Sequence, residues 1–448
     1  MKKILTVLLA LLLFCLPLAG CSSAKGKTLL TLEKDGEKAV LSVNLYELML
    51  SRVKGRFVVD GETNGGYSPT DDAFWNVLDD YGDGNGKQTL GDYYSGLVLD
   101  NCRIYVTAEW LFESEGLTLP DSVIAEVDTQ MQDLINSYGS KTKLNAVLSD
   151  YGVNYAMLRE AYLLEEKVTA LQEHFYGKDA TLIGSNIKDE YLAEHYVHFQ
   201  QIVLPLCRYV YETDANGDDI WYQKESNLSK IAYDYKNGCT RQNEDGTPVT
   251  DANGDEIAYK STDSDRICYD TENGIRSYKM KDGVSVTEPM TREEIEEVRK
   301  KAQNLLAGLT DADDAAFEAS MEKENEYPTG TNRNPDGFYL NADVDYAGAG
   351  DPFAYLSEIV GKLKDAEPGT TVLVEADDGI HIVRKYEPTS GAYDMAENES
   401  SFLQFHAALM ESLFLEKCRE LFDCIAVDEK VLASATDIRR IGVNQYLY

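Results

Sequence analysis

The sequence predicts an α+β protein: an all-helical module built from N-terminal helices plus one C-terminal helix, with an inserted α/β domain that carries a β-hairpin-rich insertion of its own. Three observations predict it. Apolar residues recur at helical spacing almost without a break from Leu90 to Tyr176, and again from Ser400 to Phe422. Short β-type runs at Phe199–Leu206, Thr371–Glu375 and Gly379–Tyr386 are interleaved with helical stretches between them. Residues 207–290 are dominated by Tyr, Asp, Asn and Gly, and the fragment Asp214-Ala215-Asn216-Gly217-Asp218 returns as Asp251-Ala252-Asn253-Gly254-Asp255.

The first twenty residues stand apart. Lys2 and Lys3 precede an apolar run from Ile4 to Leu16, too short to span a hydrocarbon core that needs about twenty residues, so the segment reads as a signal peptide. Leu18-Ala19-Gly20-Cys21 then resembles the lipobox of bacterial lipoproteins, which implies cleavage before Cys21, acylation of its thiol and a polar tether starting at Ser22, Ser23 and Ala24. An ordinary secretory signal with a chance cysteine is the alternative. No later apolar run has membrane-spanning length, so the chain is expected outside the cytoplasm and held to the membrane by lipid alone.

A length of 448 residues allows two or three domains with real cores. The net charge of −36 becomes −38 once Lys2 and Lys3 leave with the signal, which argues against nucleic acid, whose phosphates need basic patches. Basic or unfolded polypeptides are compatible partners. Twenty-nine tyrosines suit partly wet clefts as well as ordinary packing. Eight cysteines form no CxxC pair and no zinc spacing. Cys15 leaves with the signal, Cys418 and Cys424 are too far apart to bond, and Cys239 with Cys268 is the best disulfide guess among connectivities the sequence leaves open.

In order along the chain, Thr28–Leu41 alternates as a strand or hairpin, and Val43–Phe57 reads as a helix with Leu45, Leu48, Met49 and Val53 on one face. Gly61–Gly86 reads as a loop, and its Asp83–Gly86 run lacks the alternating acidic pattern and closing Glu of a calcium loop. One long helix holds Leu97, Cys102, Ile104, Val106 and Leu111 and ends at Gly116–Pro120. Asp121 and Ser122 are expected to cap the next, whose stripe is Ile124, Val127, Met131, Leu134 and Ile135. Leu144–Leu148 and Tyr155–Phe175 follow as helices, and Ser185–His198 as another that leads into the strand Phe199–Leu206. The two Asn-Gly fragments read as hairpin turns, the first joining Tyr209–Tyr211 to Ile220–Tyr222. Thr291 and Glu294 form a capping box for a helix to Leu309, and Ala315–Met321 is a second helix. Tyr327–Asp345 reads as loop, Phe353–Leu363 as helix, and everything from Asp423 on as a polar tail. The boundaries that follow are a signal at 1–20, tether and first strand at 21–40, a helical module at 41–192, the α/β domain at 193–388 and a C-terminal helix and tail at 389–448.

The order of the α/β domain is strand, helix, helix, strand, helix, strand, strand, and its last strand reads Gly379-Ile380-His381-Ile382-Val383-Arg384-Lys385 after a Pro368-Gly369 turn. This resembles the parvulin family of peptidyl-prolyl isomerases, and the first-strand tripeptide Gln201-Ile202-Val203 falls where that family carries His-Ile-Leu. Signal, lipobox, helical chaperone module, parvulin-like domain and C-terminal helix together resemble extracytoplasmic foldases of the PrsA and SurA kind over most of residues 40–425. The 207–290 insertion is outside that pattern. The resemblance implies cis-trans isomerisation of X-Pro bonds in unfolded secreted polypeptides, with no cofactor and no metal. It places His381 and Gln201 on the pocket floor and Phe353, after Pro352, against the proline ring. Ala349 stands where the family grips the ring with methionine, Ala376 where it carries a threonine, and the acidic or thiol position falls near Glu324–Glu326. His198 cannot replace Gln201, because an offset of three along a strand points to the other face. A chaperone whose parvulin fold has lost catalysis, or a surface-binding lipoprotein using the Tyr-rich segment, are the alternatives.

Overall fold

The computed structural model describes residues 26–64, 68–151, 153–213, 217, 221–223, 250, 253–254, 274–276, 278–282, 284–324, 336–344, 346, 354–377 and 379–442. Residues 1–25, with the signal and Cys21, lie outside them, as do Cys239, Cys268, Ala349 and Phe353. The chain divides into two compact units: a helical unit of residues 1–184 and 403–448, and a sheet unit of residues 185–402. Stretch 389–402 therefore lies with the sheet unit. Among the described residues no helix is long and apolar enough to cross a membrane, and no group of His, Cys, Asp or Glu could hold a metal ion.

The helical unit starts with a hairpin, Thr28–Lys34 paired with Glu37–Ser42. Its Asp35-Gly36 turn takes left-handed φ at both positions (+54° and +88°), the mirror-type turn that matches strand twist. A third strand, Ile425–Val427, pairs with the first through Leu30↔Val427 and Leu32↔Ile425. The expected polar tail is thus a structural segment, and Val431, Ile438 and Ile441 beyond it are buried. Its apolar residues are too few and too widely spaced to show a period, but each reaches a core built by the other end of the chain.

Helices Val43–Asn64, Leu90–Ser114, Asp121–Tyr138, Lys141–Leu148, Tyr155–Tyr176 and Phe405–Arg419 share one continuous apolar core, in which Leu48, Val106, Met131, Leu158 and Phe414 are almost wholly buried. Side chains of Thr89, Ser140 and Asn154 accept from backbone N–H groups in the first turns of their helices. Gly139, at φ +80°, closes the Asp121–Tyr138 helix in the left-handed geometry that glycine adopts without strain. Asp121 does not cap that helix as expected. Pro120 occupies the cap without a side-chain bond and Asp121 is the first helical residue, where a carboxylate faces the positive end of the helix dipole. The C-terminal helix is shorter than the expected Ser400–Phe422 span. Among the described residues Cys102, Cys418 and Cys424 are free thiols.

The expected loop at 61–86 is more ordered than its composition suggests. The Val43 helix runs on to Asn64, a one-turn helix covers Asp72–Trp75, and Leu78–Asp80 pairs with Lys87–Thr89. Trp75 anchors the segment: it is fully buried and its indole N–H donates to the carbonyl of Pro69 at 2.7 Å.

The sheet unit holds four antiparallel strands in the order Phe338–Asn341, Tyr196–Pro205, Gly379–Tyr386, Thr371–Glu375. Phe338–Asn341 lies within the stretch expected to be loop. Its alternation is only four residues long, and pairing with the central strand decides it. The preceding helix stops at His195, three residues earlier than expected, because Tyr196-Val197-His198 joins the strand. Helices Arg292–Leu309 and Asp314–Glu324 cover one face with Ala302, Leu309 and Phe317 over Ile202, Leu204, Ile380 and Ile382. Helix Tyr355–Leu363 covers the other with Ile359 and Leu363 over Val197, Phe199, Val374 and Val383. The Thr291 and Glu294 capping box forms in both directions.

Residues 214–216 and 218–220, on which the hairpin expected around Asn216-Gly217 turns, lie outside the described residues, and the described flanks pair with other strands. Cys207–Tyr209 pairs with Thr287–Pro289, Trp221–Gln223 pairs with Gly274–Arg276, and Tyr211 bridges Tyr278. These distant partners satisfy the strand edges that a local turn would have joined. The tight hairpin of this region instead joins Met280–Lys281 to Val284–Ser285, where the sequence reads Asp282-Gly283 and Asp282 is left-handed at φ +52°. Of the second Asn-Gly fragment only Asn253 and Gly254 are described.

Candidate functional site

Two of the three expected pocket residues meet on the sheet face under helix Tyr355–Leu363. In the register of the central strands His381 lies opposite Val203 and Gln201 opposite Val383, so His381 and Gln201 are diagonal neighbours on one face. Their side chains join, His381 Nδ1 to Gln201 Oε1, at 3.0 Å. An amide oxygen can only accept, so in this contact Nδ1 is the donor. The Tyr355 ring lies over the imidazole at 4.4 Å between centroids and 24° between planes. On the opposite side of the strand pair His381 faces Val374. The imidazole is 1 % exposed.

The arrangement is a buried, oriented imidazole bonded to an amide and covered by an aromatic ring. Among its described residues no nucleophile stands poised beside a base, so the chemistry open to it is that of apolar contact and placed hydrogen bonds. Phe353, the third expected residue, lies outside the described residues. Tyr355 was not anticipated. A second aromatic two positions after Phe353, at the start of a helix facing the His381 strand, was the available signal.

The remaining expected positions fall elsewhere. Glu324 ends a helix on the other face of the sheet, ion-paired with Lys323 at 2.6 Å and Lys301 at 3.3 Å, and the bonds from these ammonium groups hold its carboxyl below the usual range. It lines a separate cavity of about 450 Å³ with Glu297, Lys300, Lys301, Asn304 and Leu305. Ala376 contributes only a backbone N–H, which donates to Gly379 at the bend before the last strand. His198, as its offset requires, lies on the far face: Nδ1 meets the Glu387 carbonyl at 2.6 Å, Nε2 the Asp336 carbonyl at 2.5 Å, and the ring stacks on Tyr339 at 4.3 Å. Gly337 is required beside it, since a Cβ there would come within 2.6 Å of the Phe199 carbonyl. His198 thus ties the edge strand to the sheet.

No protein-family model matches the sequence, and no curated protein matches it. Among solved structures the chain is similar to PrsA from Bacillus subtilis, at 12 % identity and a TM-score of 0.19, covering 81 % of this chain and 94 % of that one. It is similar to foldase protein PrsA from Streptococcus pneumoniae str. Canada MDR_19A, at 12 % identity and 0.20, with 80 % and 97 % covered. A third likeness, to foldase protein (PrsA) from Lactococcus lactis, has 10 % identity and a TM-score of 0.20, with 92 % and 98 % covered. Likeness at TM-scores this low carries no argument about this chain's activity.

Proposed function

We propose that this chain is an extracytoplasmic foldase, anchored through lipid on Cys21, that binds unfolded secreted polypeptides and isomerises X-Pro bonds at His381. The observation that carries the reading is the bonded His381–Gln201 pair on adjacent central strands beneath an aromatic lid. It has the layout that the Gly379–Lys385 motif implies by resemblance. An X-Pro amide resists rotation by about 18–20 kcal/mol of resonance, and no covalent step is needed to lower that barrier. A site need only seat the proline ring on an apolar wall and set hydrogen bonds that favour the twisted amide over the planar one. Val203 and Val374 flank His381 on the neighbouring strands and Tyr355 covers it, while Gln201 holds its orientation through Nδ1; the proline ring would have to enter by displacing that cover.

Refolding of a proline-limited substrate with the full chain and with His381→Ala tests the catalytic step. The wild type should accelerate the slow phase and the variant should not; equal rates from both would remove catalysis at His381. A second reading, a polypeptide-binding chaperone without turnover, is favoured by the 1 % exposure of His381 and by Gln201 standing where the family has histidine. Suppression of client aggregation without proline acceleration would select it. Cys21→Ser should release the chain from the membrane fraction, and continued membrane association would sink the anchor.

A further inference from the structure

The segment between the first and second long helices of the helical unit holds apolar side chains out toward solvent on a rigid aromatic base. From its hairpin Val77 is 51 % and Leu78 61 % exposed, and Leu97 on the adjoining helix is 39 % exposed. The hairpin is firmly seated. Tyr81 stacks on Tyr93 at 4.7 Å, Tyr93 meets Tyr94 at 5.2 Å, and Tyr94 meets Phe57 at 4.9 Å. Phe57 in turn meets buried Trp75 at 5.5 Å, which makes an unbroken run of rings from the surface to the core. The Tyr81 hydroxyl donates to the Val77 carbonyl at 3.0 Å, and Arg439 binds Asn76 Oδ1 at 2.8 Å and Thr89 Oγ1 at 2.7 Å, fixing both ends of the hairpin. Tyr93 and Leu97 are one helical turn apart, on the same face.

Two paired strands alone are marginal in water, and exposed apolar groups add nothing to their stability. Here buried aromatics hold such a hairpin in place while Val77 and Leu78 stay outside. Its rim is acidic: Asp79, Asp80, Asp83 and Asp92 are exposed, with Lys87 opposite Asp80 and Arg439 at 3.8 Å from Asp92 as the cations described beside them. Asp83 is held below the usual carboxylate range by the backbone N–H and then the side-chain amide of Asn85.

We infer that Val77, Leu78, Tyr81, Tyr93 and Leu97 form a docking surface for an extended, unfolded polypeptide segment in which apolar or aromatic residues alternate with lysine or arginine. Apolar side chains of the segment cover Val77 and Leu78, and its cations meet Asp79 and Asp80. This rests on the foldase reading only for the kind of partner. The site is remote in sequence from His381 and needs no turnover there.

The probe is a fluorescein-labelled, unstructured twelve-residue peptide alternating Leu or Phe with Lys, and a second in which every Lys is Glu. Binding to the full chain is followed by fluorescence anisotropy at two salt concentrations. Expected are saturable binding of the Lys peptide, weaker at high salt, and at least tenfold weaker binding of the Glu peptide. Val77→Ser with Leu78→Ser should weaken the Lys peptide by fivefold or more, and Asp79→Asn with Asp80→Asn should weaken it and flatten its salt dependence. These side chains are exposed, so unchanged near-ultraviolet dichroism verifies the fold. Equal affinity of both peptides, or unchanged affinity in both double variants, overturns the inference. So does a concentration-dependent dimer that Val77→Ser with Leu78→Ser dissolves, since the occupant would then be a second copy. Loss of proline acceleration in His381→Ala with peptide binding intact separates the two sites, whereas an inactive wild type that still binds the Lys peptide removes the isomerase and keeps this surface.

Discussion

The two units solve the same problem of burying apolar surface with opposite chain economies. The helical unit gathers one core from both ends of the sequence, with Leu30 and Leu32 of the first strand beside Ile425 and Val427 of the last. The sheet unit uses one contiguous stretch, 185–402, and splits its core into two layers, one on each face of four strands. Buried glutamates mark the helical unit, while carboxyls held down by hydrogen bonds occur in both, Asp83 and Asp128 among them in the helical unit. In the helical unit burial pushes the carboxyls of Glu113, Glu165, Glu166 and Glu411 up, in Glu165 despite the Arg52 guanidinium beside it. In the sheet unit hydrogen bonds hold carboxyls down: Ser390 and Gly391 on Asp189, the Thr291 backbone on Glu294, Arg299 on Glu375. A helix bundle sinks long acidic side chains between packed faces. A sheet edged by loops offers them donors instead.

The comparison can be broken most forcefully in the cores. Phe414→Ala, in a fully buried position contributed by the last helix, should cost about 3–5 kcal/mol and move the transition read by Trp75 and Trp110. Ile382→Ala, equally buried between strand and helix, should cost about 2–4 kcal/mol and leave that tryptophan transition in place, with Trp221 replaced by Phe. If either substitution moves both units together in denaturant, the two do not unfold separately. Next in size is Arg384→Met. The buried guanidinium binds Asp314 at 2.7 Å, Thr371 at 3.0 Å and the Ala312 carbonyl at 2.8 Å, joining a helix start to two strands. Its loss should lower sheet-unit stability by about 2 kcal/mol, since Asp314 is more than half exposed and can rehydrate. A smaller test is Thr291→Ala, which opens the capping box and should cost about 1 kcal/mol, seen as a lower urea midpoint with an unchanged slope.

The mildest perturbation is pH. A carboxyl raised by folding keeps its proton after the unfolded chain has lost it, so its contribution is present at low pH and is lost as pH climbs above the ordinary carboxylate value. A carboxyl lowered by folding stabilises above that value and loses its contribution as pH falls below it. Acidification from pH 7 toward about 4 should therefore favour the helical unit relative to the sheet unit, and further acidification should weaken both, through Asp189, Glu294 and Glu375 in one and Asp83 and Asp128 in the other. Two melting curves, by tryptophan fluorescence and by tyrosine dichroism, would separate with falling pH; curves that stay superimposed would contradict the contrast.

Long periodic elements were legible in the sequence and short ones were not. Helices such as Leu90–Ser114 and the capped Arg292–Leu309 carry enough turns to show a period and their own stop signals. Phe338–Asn341 and Ile425–Val427 are four and three residues long, and a partner strand far away in the chain makes each of them. The described flanks of the Asn216-Gly217 stretch likewise take distant partners, Thr287–Pro289 and Gly274–Arg276, that no local signal names. At the candidate site, His381 and Gln201 were named by the resemblance of their two strands to a known family, and the two-residue period of a strand served only to set His198 on the other face. Tyr355 was not named, since nothing local says which strand its helix covers.

The pairing of Leu30 with Val427 also sets a timetable. A chain emerging N-terminus first can complete residues 185–402 while the helical unit still lacks the strand, the helix and the buried Ile438 and Ile441 that close it. During synthesis the middle of this protein can mature before its two ends meet. A chain interrupted anywhere before the last strand would present an open, apolar half-core.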